Sequence, residues 1–191
     1  FQLAVIGGLV WLVLRLVRGN RRQPALAGGP AGMAREMPNE SRPAFGGTGG
    51  GGGIAKRPIE ISAADFEAFE RNLMQIQAAW TQQDVGTLRR LSTPEMTRYY
   101  EQDLSDLQAR GWTNATSDVR LEAGDLSEAW SEDGQDYATV AMRFSMVDVT
   151  TDASGKVVEG NPTERETATE FWTFARRPGT QWVLSAIQQT G

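Results

Sequence analysis

The chain has 191 residues, a formal net charge of −5, and neither cysteine nor histidine. Without cysteine it can form no disulfides and no thiolate metal sites, which fits a reducing cytoplasm. Without histidine it lacks the commonest general base and transition-metal ligand, so Ser-His-Asp and Cys-His catalytic groups are excluded. The composition therefore favours binding over catalysis, and we expect neither a cofactor nor a bound metal.

The N-terminal sequence FQLAVIGGLVWLVLRLV is apolar and runs directly into RGNRR. An apolar helix with arginines at one end is typical of a membrane anchor whose basic end stays in the cytoplasm. We predict a transmembrane helix over residues 1–18, which spans roughly 25 Å against a hydrocarbon core of about 30 Å. Because the chain starts at Phe1 and not at a methionine, we expect further apolar residues upstream. The residues expected to anchor the chain at the membrane are Trp11, Arg15, Arg18, Arg21 and Arg22.

Two other interpretations of this segment fit less well. A signal peptide carries its positive charge before the apolar run, whereas here the arginines follow it. A buried core helix would not precede a long loop-like stretch, yet residues 19–57 are rich in Gly, Pro, Ala and Asn. Such a composition cannot offset its chain entropy by burial, so we predict a flexible linker over residues 19–57.

Charge is divided unevenly along the chain. Through Arg57 it carries eight basic and two acidic residues, a net charge of +6, whereas residues 58–191 carry eleven basic and twenty-two acidic residues, a net charge of −11. The basic part suits anionic lipid headgroups. The acidic part is unfavourable for nucleic acid and would attract basic partners, although acidity that serves only solubility is the alternative. The length of residues 58–191 predicts one globular domain.

Three helices are predicted at the start of this domain. Ser62 and Asp65 form a capping-box pattern before the first helix, and a short second helix is predicted around Val85 to Leu91. The third begins at Thr-Pro-Glu, a favourable capping sequence, and Gly111 ends it. The apolar stripe of the first helix is Phe66, Phe69, Leu73, Ile76 and Trp80. The apolar face of the third helix is Met96, Tyr100, Leu104 and Leu107.

After Gly111 the hydrophobic period changes from that of a helix to that of a strand. Alternation predicts strands in VRLEA, QDYATVAMRFSMVDVT, TATEFWTFARR and QWVLSAIQQ, with a short returning strand at KVVEG. The turns DASGK and RPGT are short and marked by Gly or Pro, so neighbouring strands are expected to be antiparallel. Helices followed by a strand meander predict an α+β fold with the helices packed on one face of the sheet.

Three patches in this order resemble the Tim44-like domain family, a branch of the cone-shaped NTF2-like folds. They are FEAFERNLMQIQAAWTQQD, LRRLSTPEMTRYYEQDL and EFWTFARRPGTQWVLSAIQQ. The resemblance covers roughly Ile59 to Gln189, so residues 58–191 are assigned as a Tim44-like domain. An apolar anchor followed by a glycine-rich linker is similar to the bacterial members of this family.

The resemblance implies a curved antiparallel sheet wrapped around helices, with an apolar cavity at the open end. It also implies a role beside protein translocation, since the mitochondrial relative links a channel to a chaperone motor and contacts anionic lipid. This chain lacks that relative's long charged N-terminal region, so motor recruitment is not expected.

The expected protein is a single-pass protein of the bacterial inner membrane whose C-terminal domain faces the cytoplasm. There it would act as a binding scaffold accessory to protein translocation or membrane-protein assembly. The expected partners are membrane lipids through the anchor and a basic or apolar protein or peptide. Nucleic acid and metal are not expected as partners.

One strand face and its neighbours are candidates for a ligand pocket, because methionine-rich surfaces adapt to varied apolar ligands. The alternative is that these side chains form ordinary core between sheet and helices. A lipid-binding accessory role is also left open. The candidates are Val140, Met142, Phe144, Met146, Trp172, Phe174 and Tyr100.

A small-molecule enzyme of the NTF2-like class is the contrasting hypothesis. Asp148 shares strand parity with Phe144, and a buried carboxylate with a raised pKa could serve as a base. Because no second carboxylate is expected beside Asp148, no catalytic residue is predicted. The acidic residues Glu132, Asp133 and Asp136 lack the regular spacing of a calcium loop and are interpreted as a solvated turn.

Overall fold

The computed structural model describes residues 56–190. The predicted anchor and almost all of the predicted linker lie outside the described residues, as do Trp11, Arg15, Arg18, Arg21 and Arg22. Within residues 56–190, no helix combines the length and the apolarity that crossing a membrane requires. Arg57, assigned to the linker, instead forms with Pro58 a two-residue strand, β1, that pairs with Ser131 and Trp130.

The first two helices are those expected. Helix α1 spans Ala63–Thr81 and helix α2 spans Val85–Leu91. The Ser62 hydroxyl accepts a hydrogen bond from the backbone N–H of Asp65, and the Asp65 carboxylate accepts one from the backbone N–H of Ser62. The predicted capping box is confirmed. Asp84 caps α2 by accepting a hydrogen bond from the backbone N–H of Thr87.

The third helix, α3, spans Pro94–Ala109. Thr93 caps it, and Pro94 occupies the first turn, where a missing N–H leaves no helical hydrogen bond unmade. Gly111 follows the helix with φ of 69°, a left-handed conformation that glycine adopts without steric cost. Both ends of α3 are therefore where the sequence predicts them.

Five further strands follow the helices, and every pairing is antiparallel. The strand order is β1-β2-β3-β5-β6, while β4 pairs with the end of β3 that β5 leaves free. The predicted α+β fold, with helices packed on an antiparallel sheet, is confirmed. The strands are β2 (Trp112–Glu132), β3 (Gln135–Asp152), β4 (Val157–Gly160), β5 (Glu166–Arg176) and β6 (Val183–Gln189).

Strands β2 and β3 form a long hairpin with a two-residue turn. Asp133 and Gly134 both have positive φ, the conformation that tight hairpin turns require. Asp136 pairs with Arg176, and Glu132 accepts a hydrogen bond from Trp130, so the acidic residues are engaged separately. Three register shifts interrupt the pairing along β2, and irregularities of this kind locally bend and twist a strand.

The core lies between the helices and the face of β3 that carries its alternate apolar residues. Phe69 of α1 stacks on Phe174 of β5, with 4.5 Å between ring centroids. Phe69 also meets Trp182 edge-on at 5.3 Å. These rings fill the space between helices and sheet near the start of α1. A cavity remains beside the C-terminal half of the same helix, where Ile76 and Trp80 lie.

Candidate functional site

A cavity of about 180 Å³ lies between the C-terminal half of α1, helix α3 and the sheet. Its lining combines aromatic rings with carboxylates, and none of the described residues that line it is lysine or arginine. The aromatic lining residues are Trp80, Tyr100, Phe144 and Trp172. The acidic lining residues are Asp103, Asp148, Glu159, Glu166 and Glu170.

Glu170 is the most deeply placed of these carboxylates, with 7% of its surface exposed. The indole N–H of Trp172 donates to its Oε2 at 2.8 Å, and the amide of Gln189 donates to its Oε1 at 3.4 Å. Burial raises the pKa of the Glu170 carboxyl, and the two hydrogen bonds offset only part of that rise. The site therefore holds Glu170 in place without supplying a compensating positive charge.

Asp148 is held by a chain of hydrogen bonds that joins α1 to β2 and β3. The indole N–H of Trp80 donates to Asn114 Oδ1 at 2.7 Å, and Asn114 Nδ2 donates to Asp148 Oδ1 at 2.7 Å. Asn114 Nδ2 also donates to Thr150 Oγ1 at 3.0 Å. Burial raises the pKa of Asp148, partly opposed by the Asn114 hydrogen bond. Asp148 is thus partly enclosed by its neighbours.

Tyr100 and Asp103 reach the cavity from α3, one helical turn apart. Burial raises the pKa of Asp103 to about 6, and the nearby charge of Asp106 adds to the rise. Burial also raises the pKa of Tyr100, with contributions from the charges of Glu170 and Asp103. The Tyr100 hydroxyl is buried and has no hydrogen-bond partner among the described residues.

The site thus contains several carboxylates whose ionised form is disfavoured. Desolvation without a charge partner is the arrangement that shifts pKa values at functional sites. Within residues 56–190, no group of three His, Cys, Asp or Glu side chains could hold a metal ion. The described carboxylates therefore surround a space and do not form a compact metal-binding cluster.

The structure brings four of the seven pocket candidates to the cavity: Tyr100, Phe144, Met146 and Trp172. Val140, Met142 and Phe174 do not line it. They are buried farther along their strands, in the closed core, because the sheet and helices are in direct contact there.

Asp148 lies at the cavity as the enzyme hypothesis requires, but the expectation that no second carboxylate accompanies it is wrong. Two signals in the sequence could have located its companions. Glu170 has the same strand parity as Trp172, and Asp103 lies three residues after Tyr100, on the same helical face. Neither Glu170 nor Asp103 was predicted to line the cavity, because a charged residue beside an apolar stripe ordinarily faces solvent.

Comparison with models of known protein families shows which family the chain belongs to. A family model for the Tim44-like domain matches residues 49–189. The chain belongs to the Tim44-like domain family. The resemblance found in the sequence is thereby confirmed, and the matched region of this Tim44-like chain begins within the predicted linker.

The other comparisons return little similarity in sequence. A search of curated proteins gives no match to this Tim44-like chain. Among solved structures, the crystal structure of the intermembrane-space region of the chloroplast protein ARC6 is similar, with a TM-score of 0.41 and 8% sequence identity. That match covers 69% of this chain and 100% of the other.

Proposed function

We propose that this Tim44-like domain is a membrane-associated binding scaffold whose cavity receives part of a protein or peptide partner. The observation that carries the proposal is the cavity itself, with its aromatic walls and with the carboxylates Asp103, Asp148 and Glu170, whose pKa values are raised by burial. Concave, largely apolar spaces with a few convergent polar groups are the usual form of a binding site. The net charge of −11 on residues 58–191 would draw a basic partner towards it.

The mechanism we propose is tethering at the cytoplasmic face of the bacterial inner membrane. The apolar segment and its arginines would anchor the chain, and a flexible linker over residues 19–57 would reach about 35 Å. A domain confined to that distance meets membrane-bound partners at high effective concentration. This suits a role accessory to protein translocation or membrane-protein assembly.

Site-specific crosslinking in native membranes tests the scaffold. A photo-crosslinking amino acid is placed at Glu159, which lines the cavity, and in a control at Glu128, an exposed residue of β2. We expect a discrete protein adduct from position 159 that position 128 does not give. Adducts with lipid alone would favour a lipid-binding accessory protein. Equal protein adducts from both positions would count against a cavity-bound partner.

One observation favours a second candidate, an acid-base enzyme of the NTF2-like class. The Tyr100 hydroxyl lies within electrostatic reach of Asp103 and Glu170, and buried carboxylates with raised pKa values are common acid-base groups. The measurement is deuterium exchange at carbon next to the carbonyl in a panel of small ketones in D₂O. Exchange that the full chain accelerates and Asp148→Asn or Glu170→Gln abolishes would support the enzyme. No acceleration with any ketone is expected for a scaffold.

A further inference from the structure

The carboxylates of the cavity differ from those that hold the fold together. Asp65 is partly buried and pairs with Arg176 at 2.8 Å. Asp103, Asp148 and Glu170 have no lysine or arginine partner among residues 56–190. A buried carboxylate without a counter-charge is unfavourable, and a bound cation would remove that cost.

The Tyr100 hydroxyl is a second observation that points to a ligand. Tyr100 is only 6% exposed and lines the cavity, yet its hydroxyl has no partner within the described part of the chain. A buried polar group left without a hydrogen bond costs about 1–3 kcal/mol. A phenolic oxygen and neighbouring carboxylates can all accept hydrogen bonds. An ammonium group, which has three donors and no acceptor, matches such a set.

The aromatic lining fits the same chemistry. Trp80 and Trp172 line the cavity while their indole N–H groups are occupied by Asn114 and Glu170. The Trp80 ring is partly exposed and can contact an apolar or cationic group, whereas the Trp172 ring is buried against Phe144 and Phe174. Tryptophan is the ring that attracts cations most strongly. A cation on an apolar stem uses both features, because the stem can pack beside the Trp80 ring while the charge reaches the carboxylates.

We propose that the cavity binds an alkylammonium group, with Glu170, Asp148 and Asp103 around the charge and the Trp80 ring beside the apolar stem. Such a group could come from a lysine side chain of the partner or from a free aliphatic amine. The lysine source rests on the proposed scaffold function, whereas the free amine does not.

The experiment uses the full chain, labelled with ¹⁵N, in maltoside micelles whose headgroups carry no charge. n-Butylammonium chloride is titrated at pH 7.5 and constant ionic strength, beside neutral n-butanol of similar shape. We expect saturable shifts of the Trp80 and Trp172 indole N–H signals with the amine and not with the alcohol. Trp130 and Trp182, which are absent from the cavity lining, serve as internal controls. Equal shifts with n-butanol would overturn the proposal.

Matched variants separate charge from fold. Glu170→Gln keeps the size of the side chain and removes its charge, and we expect binding of n-butylammonium to weaken at least tenfold. Glu128→Gln removes the same charge from the exposed surface of β2, and we expect unchanged binding. Tyr100→Phe tests the hydroxyl and is expected to weaken binding less than Glu170→Gln. If Glu170→Gln is folded and binds n-butylammonium with wild-type affinity, the proposal is overturned.

The source of the ammonium group is distinguished with a lysine-containing tripeptide with blocked ends and its Nε-acetylated counterpart. Binding of the tripeptide, lost on acetylation, supports a lysine side chain. Binding of n-butylammonium alone supports a free amine. An amine site without a protein adduct at position 159 would remove the scaffold and keep the amine site. A protein adduct at position 159 without amine binding would support the scaffold and rule out the amine site.

Discussion

Asp65 shows how a single carboxylate can join three parts of this fold. It caps α1 through Ser62, accepts a hydrogen bond from the indole of Trp182 at 2.7 Å, and pairs with Arg176 at 2.8 Å. The Arg176 guanidinium also lies 4.1 Å from the centre of the Trp182 ring. Partial burial acts to raise the pKa of Asp65, but these hydrogen bonds and the arginine charge lower it to about 2.

Replacing Asp65 with alanine is expected to lower the free energy of unfolding at pH 7 by about 3 kcal/mol, through loss of a helix cap and of charged hydrogen bonds. Because the folded pKa lies below the ordinary 3.8, the wild-type stabilisation should be present above about pH 4 and lost as the pH falls towards 2. Urea unfolding at pH 7 and pH 2.5 measures both effects.

The control for this prediction is Glu67→Gln on the same helix. Glu67 forms an exposed ion pair with Arg71 at 3.5 Å, a kind of pair that contributes little to stability. We expect a change of less than about 0.5 kcal/mol. A similar loss in both variants would show that Asp65 acts only through general surface charge.

The pKa values of the cavity carboxylates Asp103, Asp148 and Glu170 are raised, whereas that of Asp65 is lowered. Asp103 has a pKa of about 6 in the folded domain, above its ordinary value of 3.8, so its ionisation opposes folding. The stability of the wild type should therefore fall as the pH rises from about 4 to 6, and the cost is fully present above 6.

We expect Asp103→Asn to increase the free energy of unfolding at pH 7.5 by about 1 kcal/mol, a value reduced for the partial exposure of the carboxylate to solvent. At pH 4 the two proteins should differ little. Urea unfolding at the two pH values checks this, with Glu128→Gln as the surface control. Lower stability of Asp103→Asn at pH 7.5 would mean that the ionised carboxylate is already compensated by a charge.

At the scale of elements, β4 shapes the cavity by its close contact with β3. Gly160 has a φ of 80° and pairs with Val149, and a β-carbon at this position would overlap the carbonyl oxygen of Asp148. Gly155, in the preceding turn, has a φ of 83° but open space around the same position. Substitutions at the two glycines can therefore distinguish the cost of backbone strain, which both positions share, from the cost of steric overlap, which only Gly160 has.

Gly155→Ala should cost about 1 kcal/mol of unfolding free energy, from the left-handed conformation alone. Gly160→Ala should cost about 3 kcal/mol, because strain and overlap act together. It should also shift the indole signal of Trp80, which is linked to Asp148 through Asn114. Equal costs measured by urea unfolding would show that β4 adapts to the added methyl group.

The elements also show what local sequence signals can and cannot predict. Helix α2 has the predicted bounds, and α3 has the predicted caps, because capping and apolar spacing act within a few residues. Strand β2 is far longer than the alternating VRLEA segment, since it runs from Trp112 to Glu132. Residues 124–128 are all exposed and carry no apolar alternation. Backbone pairing with β3 makes them a strand, and that pairing is a tertiary property.

At the scale of the whole molecule, the helices and the sheet enclose a hydrophobic core within residues 56–190. We expect a variant without residues 1–18 to be soluble and folded, with an unchanged thermal midpoint. Size-exclusion chromatography and circular dichroism measure this. Aggregation of the truncated chain, when the full chain behaves well in micelles, would contradict an independent domain.

The uneven charge gives a second prediction at this scale. A variant that starts at Lys56 lacks most of the basic residues, so its strongly acidic domain should bind anionic vesicles weakly. Vesicle flotation, compared with the variant lacking only residues 1–18, measures the contribution of the basic segment. Tight binding of the shorter variant would show a segregated basic patch on the domain.

The sequence by itself determined the helix positions, the antiparallel meander and the α+β class, because periodicity, caps and turns are local. The Tim44-like family rests instead on the resemblance of three sequence patches and on the family model. The sequence also excluded disulfides, thiolate metal sites and histidine or cysteine catalysis by residues of this chain, since the chain has neither histidine nor cysteine. Only the tertiary structure decided which side chains share the cavity. Asp103, Asp148 and Glu170 come from α3, β3 and β5, and their burial depends on how helix and sheet diverge. Burial raises the pKa values of these carboxylates, and the extent of that burial is set by tertiary packing, even though parity and helical spacing indicate which way Glu170 and Asp103 face.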